Sequence, residues 1–172
     1  MAMACAGVCG HGWPPATPVL SSLTMSEPES SCVLAAAVSR ALYARDTAAR
    51  HLGIEVQHCD RGLAVLTMTV QDAMLNGHGI CHGGFIFSLA DTAFAYACNS
   101  GNELTVAQHC SIDFLRPAHV GEQLTATARE VTRRPRSGIY DVTVCGSDGE
   151  TVALFRGLSR SRPGTPVIDD VP

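Results

Sequence analysis

The sequence predicts an α+β domain: an antiparallel sheet of six strands wrapped around one long buried helix, with an amphipathic helix ahead of them. Two observations carry this. From Phe85 to Cys98 the only polar side chains are Ser88, Asp91, Thr92 and Tyr96. The run lacks strand alternation and spans about four helical turns, so it reads as a helix apolar nearly all round, and such a helix is buried. Two strand-like segments precede it and four follow, with no second crossover helix among them, which favours antiparallel pairing on a single helix.

Length and composition bound what the chain can be. Its 172 residues, 46% of them hydrophobic, fit one domain with a sizeable core. No apolar segment reaches membrane-spanning length, so we expect a soluble, cytoplasmic protein without a membrane partner. A net charge of -4 gives no reason to expect nucleic acid. All 12 basic residues are arginines, and they concentrate between Arg129 and Arg162, so a local basic patch can form on an acidic protein. The eight cysteines lie in a long chain without a secretory signal, and Cys81, Cys98, Cys110 and Cys145 fall in core segments; reduced, buried thiols are expected.

The elements follow in order. Residues 1–31 are rich in Ala, Gly, Pro and Ser and carry no basic residue, which suits neither a signal peptide nor a presequence; we expect a flexible extension, with Met25 an alternative start. The folded domain is expected to span 32–162. From Cys32 to Leu52, Leu34, Val38, Leu42 and Ala49 recur at roughly helical spacing, with Ser30 or Ser31 as cap and Gly53 at the C′ position. Ile54–Asp60 and Gly62–Val70 alternate around Asp60-Arg61-Gly62 as a hairpin. A loop from Asp72 to Ile80 leads into the buried helix, which Gly101-Asn102 ends. Four strand candidates then run over 104–118, 123–133, 138–146 and 151–160, and Pro163, Gly164 and Pro166 mark 163–172 as a disordered tail.

Several residues in this frame can carry chemistry. Asp91 is the one charge in the apolar run, and burying an unpaired carboxylate is expensive. No arginine lies between Arg61 and Arg116 to pair with it locally. His82-Gly83-Gly84 opens the helix, where free backbone amides collect and glycine lets a ligand approach. His78, Cys81 and His82 form an H-x-x-C-H cluster, but no second ligand cluster accompanies it, so we expect no metal. Cys81 as a nucleophile would need a base facing it.

The stretch NGH…HGGFIFSLADTAFAYACNSG, Asn76 to Gly101, resembles the signature of the phenylacetate-degradation thioesterases, hot-dog-fold acyl-CoA thioesterases of the PaaI type. The likeness runs from about Leu34 to Arg160. It implies hydrolysis of aryl- or arylacetyl-CoA, ring-hydroxylated phenylacetyl-CoA in particular, to the free acid and CoA, with no cofactor. Asp91 matches the family's catalytic carboxylate, acting as general base on water or as a nucleophile that forms an anhydride. Gly83 matches the main oxyanion donor, with Gly84 a second; Asn76 and His82 match polar positions that orient the thioester or the water. Arg133, Arg134, Arg136 and Arg160 are expected partners for CoA phosphates. Gly83 and Asp91 lie too far apart along one helix to reach one thioester, so we expect a dimer with composite active sites, and a homotetramer built as a dimer of dimers. The rival reading is a non-catalytic acyl-CoA-binding regulator on the same fold, which would have no need of Asp91. A dehydratase reading lacks its hydration motif.

Overall fold

The computed structural model describes residues 27–169. Helices α1 (Glu27–Arg45) and α2 (Thr47–His51) lead into strands β1 (Glu55–Asp60) and β2 (Leu63–Thr69). Helix α3 (Gly83–Asn99) follows, then β3 (Thr105–Phe114), β4 (Gln123–Arg134), β5 (Ser137–Cys145) and β6 (Thr151–Ser161). The strands form one antiparallel sheet in the order β1-β2-β4-β5-β6-β3, and α3 packs against all six. The α+β architecture read from the sequence is therefore the one observed.

Alternation explains how the sheet grips the helix. Every second residue of a strand faces the same way. Ala64, Leu66 and Met68 of β2, Leu124, Ala126 and Ala128 of β4, and Tyr140, Val142 and Val144 of β5 are buried. They form one core with Leu89, Ala90, Ala93, Phe94 and Ala97 of α3. Each large side chain so buried stabilises the fold by about 1.5–3 kcal/mol. The fit leaves no slack at Gly157, where a Cβ would fall 2.9 Å from the Phe94 ring.

Two tethers fix the ends of this core. Asn99, at the C-terminus of α3, donates to Ala95 O (2.9 Å) and Thr105 O (2.8 Å) and accepts from Thr105 N (2.9 Å), which stitches the helix to the start of β3. Asn102, at a left-handed φ of 58°, accepts from Val167 N and Ile168 N and donates to Ile168 O, each at 3.0 Å.

The N-terminal region departs from the expected boundaries. The helix begins at Glu27 rather than Cys32, so Ser30 and Ser31 lie inside it. It also breaks at Asp46, whose carboxylate accepts from Ala49 N at 2.9 Å and caps α2 as a separate turn. The extension expected over 1–31 falls outside the described residues except for its last five, 27–31, which are helical. The described part of the expected tail does not trail away. Besides the Asn102 contacts, Leu104 N donates to Thr165 O at 2.8 Å and Arg45 Nη2 to Val167 O at 3.2 Å. Among the described residues no helix is long and apolar enough to cross a membrane.

Candidate active site

The loop ahead of α3 is a scaffold for the helix start. Asn76 Oδ1 accepts from His78 N at 2.9 Å, and Asn76 O accepts from Gly79 N at 3.0 Å. Gly79 takes a φ of 73°, which a residue with a Cβ rarely adopts. Cys81 N donates to Ala118 O and His82 N to Met74 O, at 2.9 and 2.8 Å, so the last residues before the helix are pinned on both sides. Asn76 is thus a turn former through its oxygen, and its Nδ2 remains without a partner among the described residues.

His82 is the N-cap of α3: its Nδ1 accepts from Gly84 N at 3.0 Å. That bond places the ring proton on Nε2, which faces outward on an exposed side chain. It also corrects the expectation for Gly84, whose amide is satisfied by His82 and is not a free second oxyanion donor. Phe85 N turns back to His82 O at 2.9 Å. Among the first three amides of the helix, Gly83 N–H alone has no protein partner among the described residues. An amide left free at a helix N-terminus carries the positive end of the helix dipole. The Phe114 ring lies over it, close enough that a Cβ on Gly83 would sit 2.8 Å from ring Cζ.

Asp91 lies two turns further on. The helix is not buried all round: Gly84, Ser88, Asp91, Thr92 and Ala95 form a stripe that stays partly or fully exposed. Ser88 and Thr92 spend their hydroxyls on the carbonyls one turn back, at 2.8 and 2.7 Å. Asp91 has no arginine partner; its one hydrogen bond among the described residues comes from Cys110 Sγ, 3.7 Å from Oδ1. Burial raises its carboxyl above the ordinary range, and the Cys110 thiol opposes that rise. A half-buried carboxylate with a raised pKa and a free oxygen can take a proton from water or attack a carbonyl.

The other expected residues separate. His78 is exposed while Cys81 faces the core, where burial pushes its thiol pKa up; that is the opposite of an activated nucleophile. Arg133 pairs with Glu103 and Arg156 holds Asp141 through two bonds of 2.6 and 2.7 Å. Arg136 and Arg160 meet across the turn into β5, and with Arg162, Leu104 and Val106 they line a groove of about 570 Å³. None of these three arginines is in an ion pair among the described residues. Arg134 is exposed and apart from that groove. Reasoning from the sequence missed Cys110, Phe114 and Arg162 as neighbours of the site.

Comparison with known proteins gives a consistent family. The thioesterase superfamily model matches residues 78–153. The Escherichia coli acyl-coenzyme A thioesterase PaaI is 52% identical over 127 residues, covering 74% of this chain and 91% of that protein. The solved E. coli PaaI, described as from the phenylacetic acid degradation operon, superposes with a TM-score of 0.77 at 50% identity, over 78% of this chain and 98% of the other. A Streptococcus mutans protein solved bound to acetyl CoA superposes with a TM-score of 0.63 at 26% identity, over 65% and 90%.

Proposed function

This chain belongs to the hot-dog acyl-CoA thioesterases of the PaaI type, an enzyme family, and from that premise we propose that its substrates are aryl- and arylacetyl-CoA thioesters, ring-hydroxylated phenylacetyl-CoA among them. The observation that carries the site assignment is a pair on α3: the Gly83 amide at its start, unpartnered among the described residues, and the half-buried Asp91 carboxylate two turns on. Gly83 N–H stabilises the oxyanion that forms on the thioester carbonyl. Asp91 activates water, or attacks and is released by water afterwards. His82 Nε2–H and Asn76 Nδ2 are the free donors that orient the thioester or the water. The aromatic preference is supported by Phe85, Phe87 and Phe114, all incompletely buried at the Gly83 end of α3, and by the operon context of the E. coli relative.

The site is completed by a second copy. Strand β3 ends the sheet, and its outer edge has no partner among the described residues. Leu104, Val106, Phe114 and Leu115, exposed apolar side chains, lie on or beside it. An edge strand of 10 residues with such side chains invites antiparallel pairing with its own copy. Two-fold pairing through the middle of β3 sets the two α3 helices antiparallel and brings the Gly83 end of one copy toward Asp91 of the other. The same pairing puts the groove of Arg136, Arg160 and Arg162 near the second copy's Gly83 end, where CoA phosphates find unpaired guanidinium groups. Further association of dimers into a tetramer completes the assembly.

The test is CoA release, followed with a thiol reagent, across a panel from acetyl-CoA to phenylacetyl-, hydroxyphenylacetyl- and long-chain acyl-CoA. We expect kcat/KM for the arylacetyl esters to exceed the others by about tenfold or more, the order a well-shaped pocket gives. Replacing Arg136 and Arg160 by Ala should raise KM in a salt-dependent way, whereas Arg156→Ala should not. A flat panel overturns the substrate assignment.

A further inference from the structure

Among the described residues Asp91 is held by a single side chain, and that side chain is a thiol. Cys110 stands on β3 opposite Gly157 of β6 and faces α3, so its sulfur spans the gap between sheet and helix to reach Oδ1 at 3.7 Å. Oδ2 has no partner among the described residues. We infer that Cys110 is a positioning residue for Asp91: its S–H, donated from β3 to Oδ1, fixes the carboxylate so that Oδ2 alone is presented to the water or thioester. The inference rests on the reading of Asp91 as base or nucleophile.

The proton is on sulfur. Burial and the neighbouring Asp91 charge push the Cys110 thiol up to about 11, so at neutral pH it is the donor and the carboxylate the acceptor. A neutral donor suits this job. A guanidinium would hold the carboxylate more tightly but depress its basicity by one to three pK units, roughly, and so weaken it as a base. The thiol offsets part of the burial without supplying a charge.

Few other groups compete for Asp91. On α3 itself only Cys98 feels its charge. β2 carries no charged residue. On β4, Arg133 is engaged by Glu103, and Arg129, Glu130 and Arg134 are exposed. On β5 and β6, Asp141 and Arg156 pair with each other and Arg160 is exposed; Tyr140 bonds Glu130. On β3, His109 and Asp113 are exposed. On β1, Glu55 and His58 are exposed and Asp60 bonds Arg61 N; on α1, Arg40 and Arg45 are exposed. None of these shifts the Asp91 carboxyl.

The experiment compares wild type with Cys110→Ala, Cys110→Ser and Asp91→Asn. With phenylacetyl-CoA, Cys110→Ala should move the acid limb of kcat/KM upward by about half a pH unit, which is about threefold in rate below the limb, with KM within about twofold. Cys110→Ser, which keeps a donor, should return the limb toward wild type. A second readout needs no variant that might misfold. The S–H stretch lies in an otherwise empty infrared window, and one S–H band of wild type should move to lower frequency as pH rises through the limb. Cys110→Ala superimposing on wild type, or no S–H band responding to pH, overturns the inference. Asp91→Asn with wild-type turnover overturns both readings, whereas an inactive Asp91→Asn beside a wild-type-like Cys110→Ala overturns this one alone.

Discussion

Subunit complementation tests whether one active site draws on two chains. Gly83 and Asp91 belong to the single helix α3 (Gly83–Asn99), eight residues apart, which at about 1.5 Å per residue is about 12 Å along its axis. A carbonyl about 3 Å from its oxyanion donor and attacked from about 3–3.5 Å spans roughly half that distance. Gly83→Pro removes the amide at a place that tolerates proline. Gly83 does not take a positive φ, it is the first helical residue, and His82 before it is extended (φ −65°, ψ 131°), as a residue preceding proline must be. The nearest atoms to an added Cβ are those at the end of the Phe114 ring, a side-chain tip rather than backbone. Loss of an oxyanion donor costs about 10²–10³ in kcat, and Asp91→Asn about a hundredfold or more. Mixed in equal amounts under conditions of subunit exchange, half of the dimers are hybrids, each with one intact and one doubly damaged site, so about a quarter of wild-type activity should reappear. The assay is CoA release from phenylacetyl-CoA, with hybrids counted by native mass spectrometry. Hybrids that form yet stay at the parents' activity would refute the shared site.

Three further outcomes are expected. Because burial raises the native pKa of Asp91 above its unfolded value, this carboxyl favours folding at low pH and opposes it once pH climbs through the native pKa. Asp91→Asn should therefore melt at or above wild type at pH 7 while losing turnover; a melting temperature several degrees lower would mark a structural carboxylate. Asn102→Ala loses three hydrogen bonds of 3.0 Å and places a Cβ residue other than Asn at φ 58°, for a cost of about 2–3 kcal/mol, or roughly 5–10 °C in Tm. Asn102→Gly keeps the backbone and should lose less, and limited proteolysis should open residues 163–169 in both. Truncation to Met25 removes only residues outside the described ones and leaves α1 whole, so activity and Tm should match the full chain; a drop of several degrees would show that the removed segment docks.

What was legible in the sequence was what local periodicity records. The apolar run fixed α3, the alternating segments fixed the strands, and a lone Asp in that run drew attention to itself. The Asp46 break was visible in principle, since Asp-Thr-Ala-Ala is an N-cap followed by a turn, but apolar spacing across it reads as one continuous helix. His82 caps α3 through Nδ1, a role that depends on the ring's orientation rather than on any local pattern, and the cap removes Gly84 as a donor. The tail was misjudged by composition because its partners are Asn102 and Arg45, more than 60 residues away in the chain.

Cys110 and Phe114 were hidden for a sharper reason. On β3, Thr105 and Ala107 pair with Ser161 and Ser159 on the inner side, so strict alternation would put 109, 111 and 113 there as well. A bulge between Ala107 and His109 reverses the parity, and Cys110, Ile112 and Phe114 face α3 instead. One extra residue thus decides that a thiol rather than an imidazole meets Asp91, and that an aromatic ring rather than a second carboxylate, Asp113, covers Gly83. A carboxylate over the oxyanion donor would oppose the charge that has to form there. From His109 onward the polar/apolar alternation does favour this face, with Cys110, Ile112 and Phe114 apolar against His109, Ser111 and Asp113. It is out of phase with Thr105 and Ala107, however, and alternation alone does not tell which residue of the face meets Asp91 or Gly83. Because Gln108 is the extra residue, deleting it should regularise the ladder, with Ala107, His109 and Cys110 still opposite Ser159, Leu158 and Gly157. Cys110, Ile112 and Phe114 should then keep facing α3, and turnover should survive; loss of turnover in such a variant whose β3–β6 pairing and α3 packing are intact would refute this reading of the bulge.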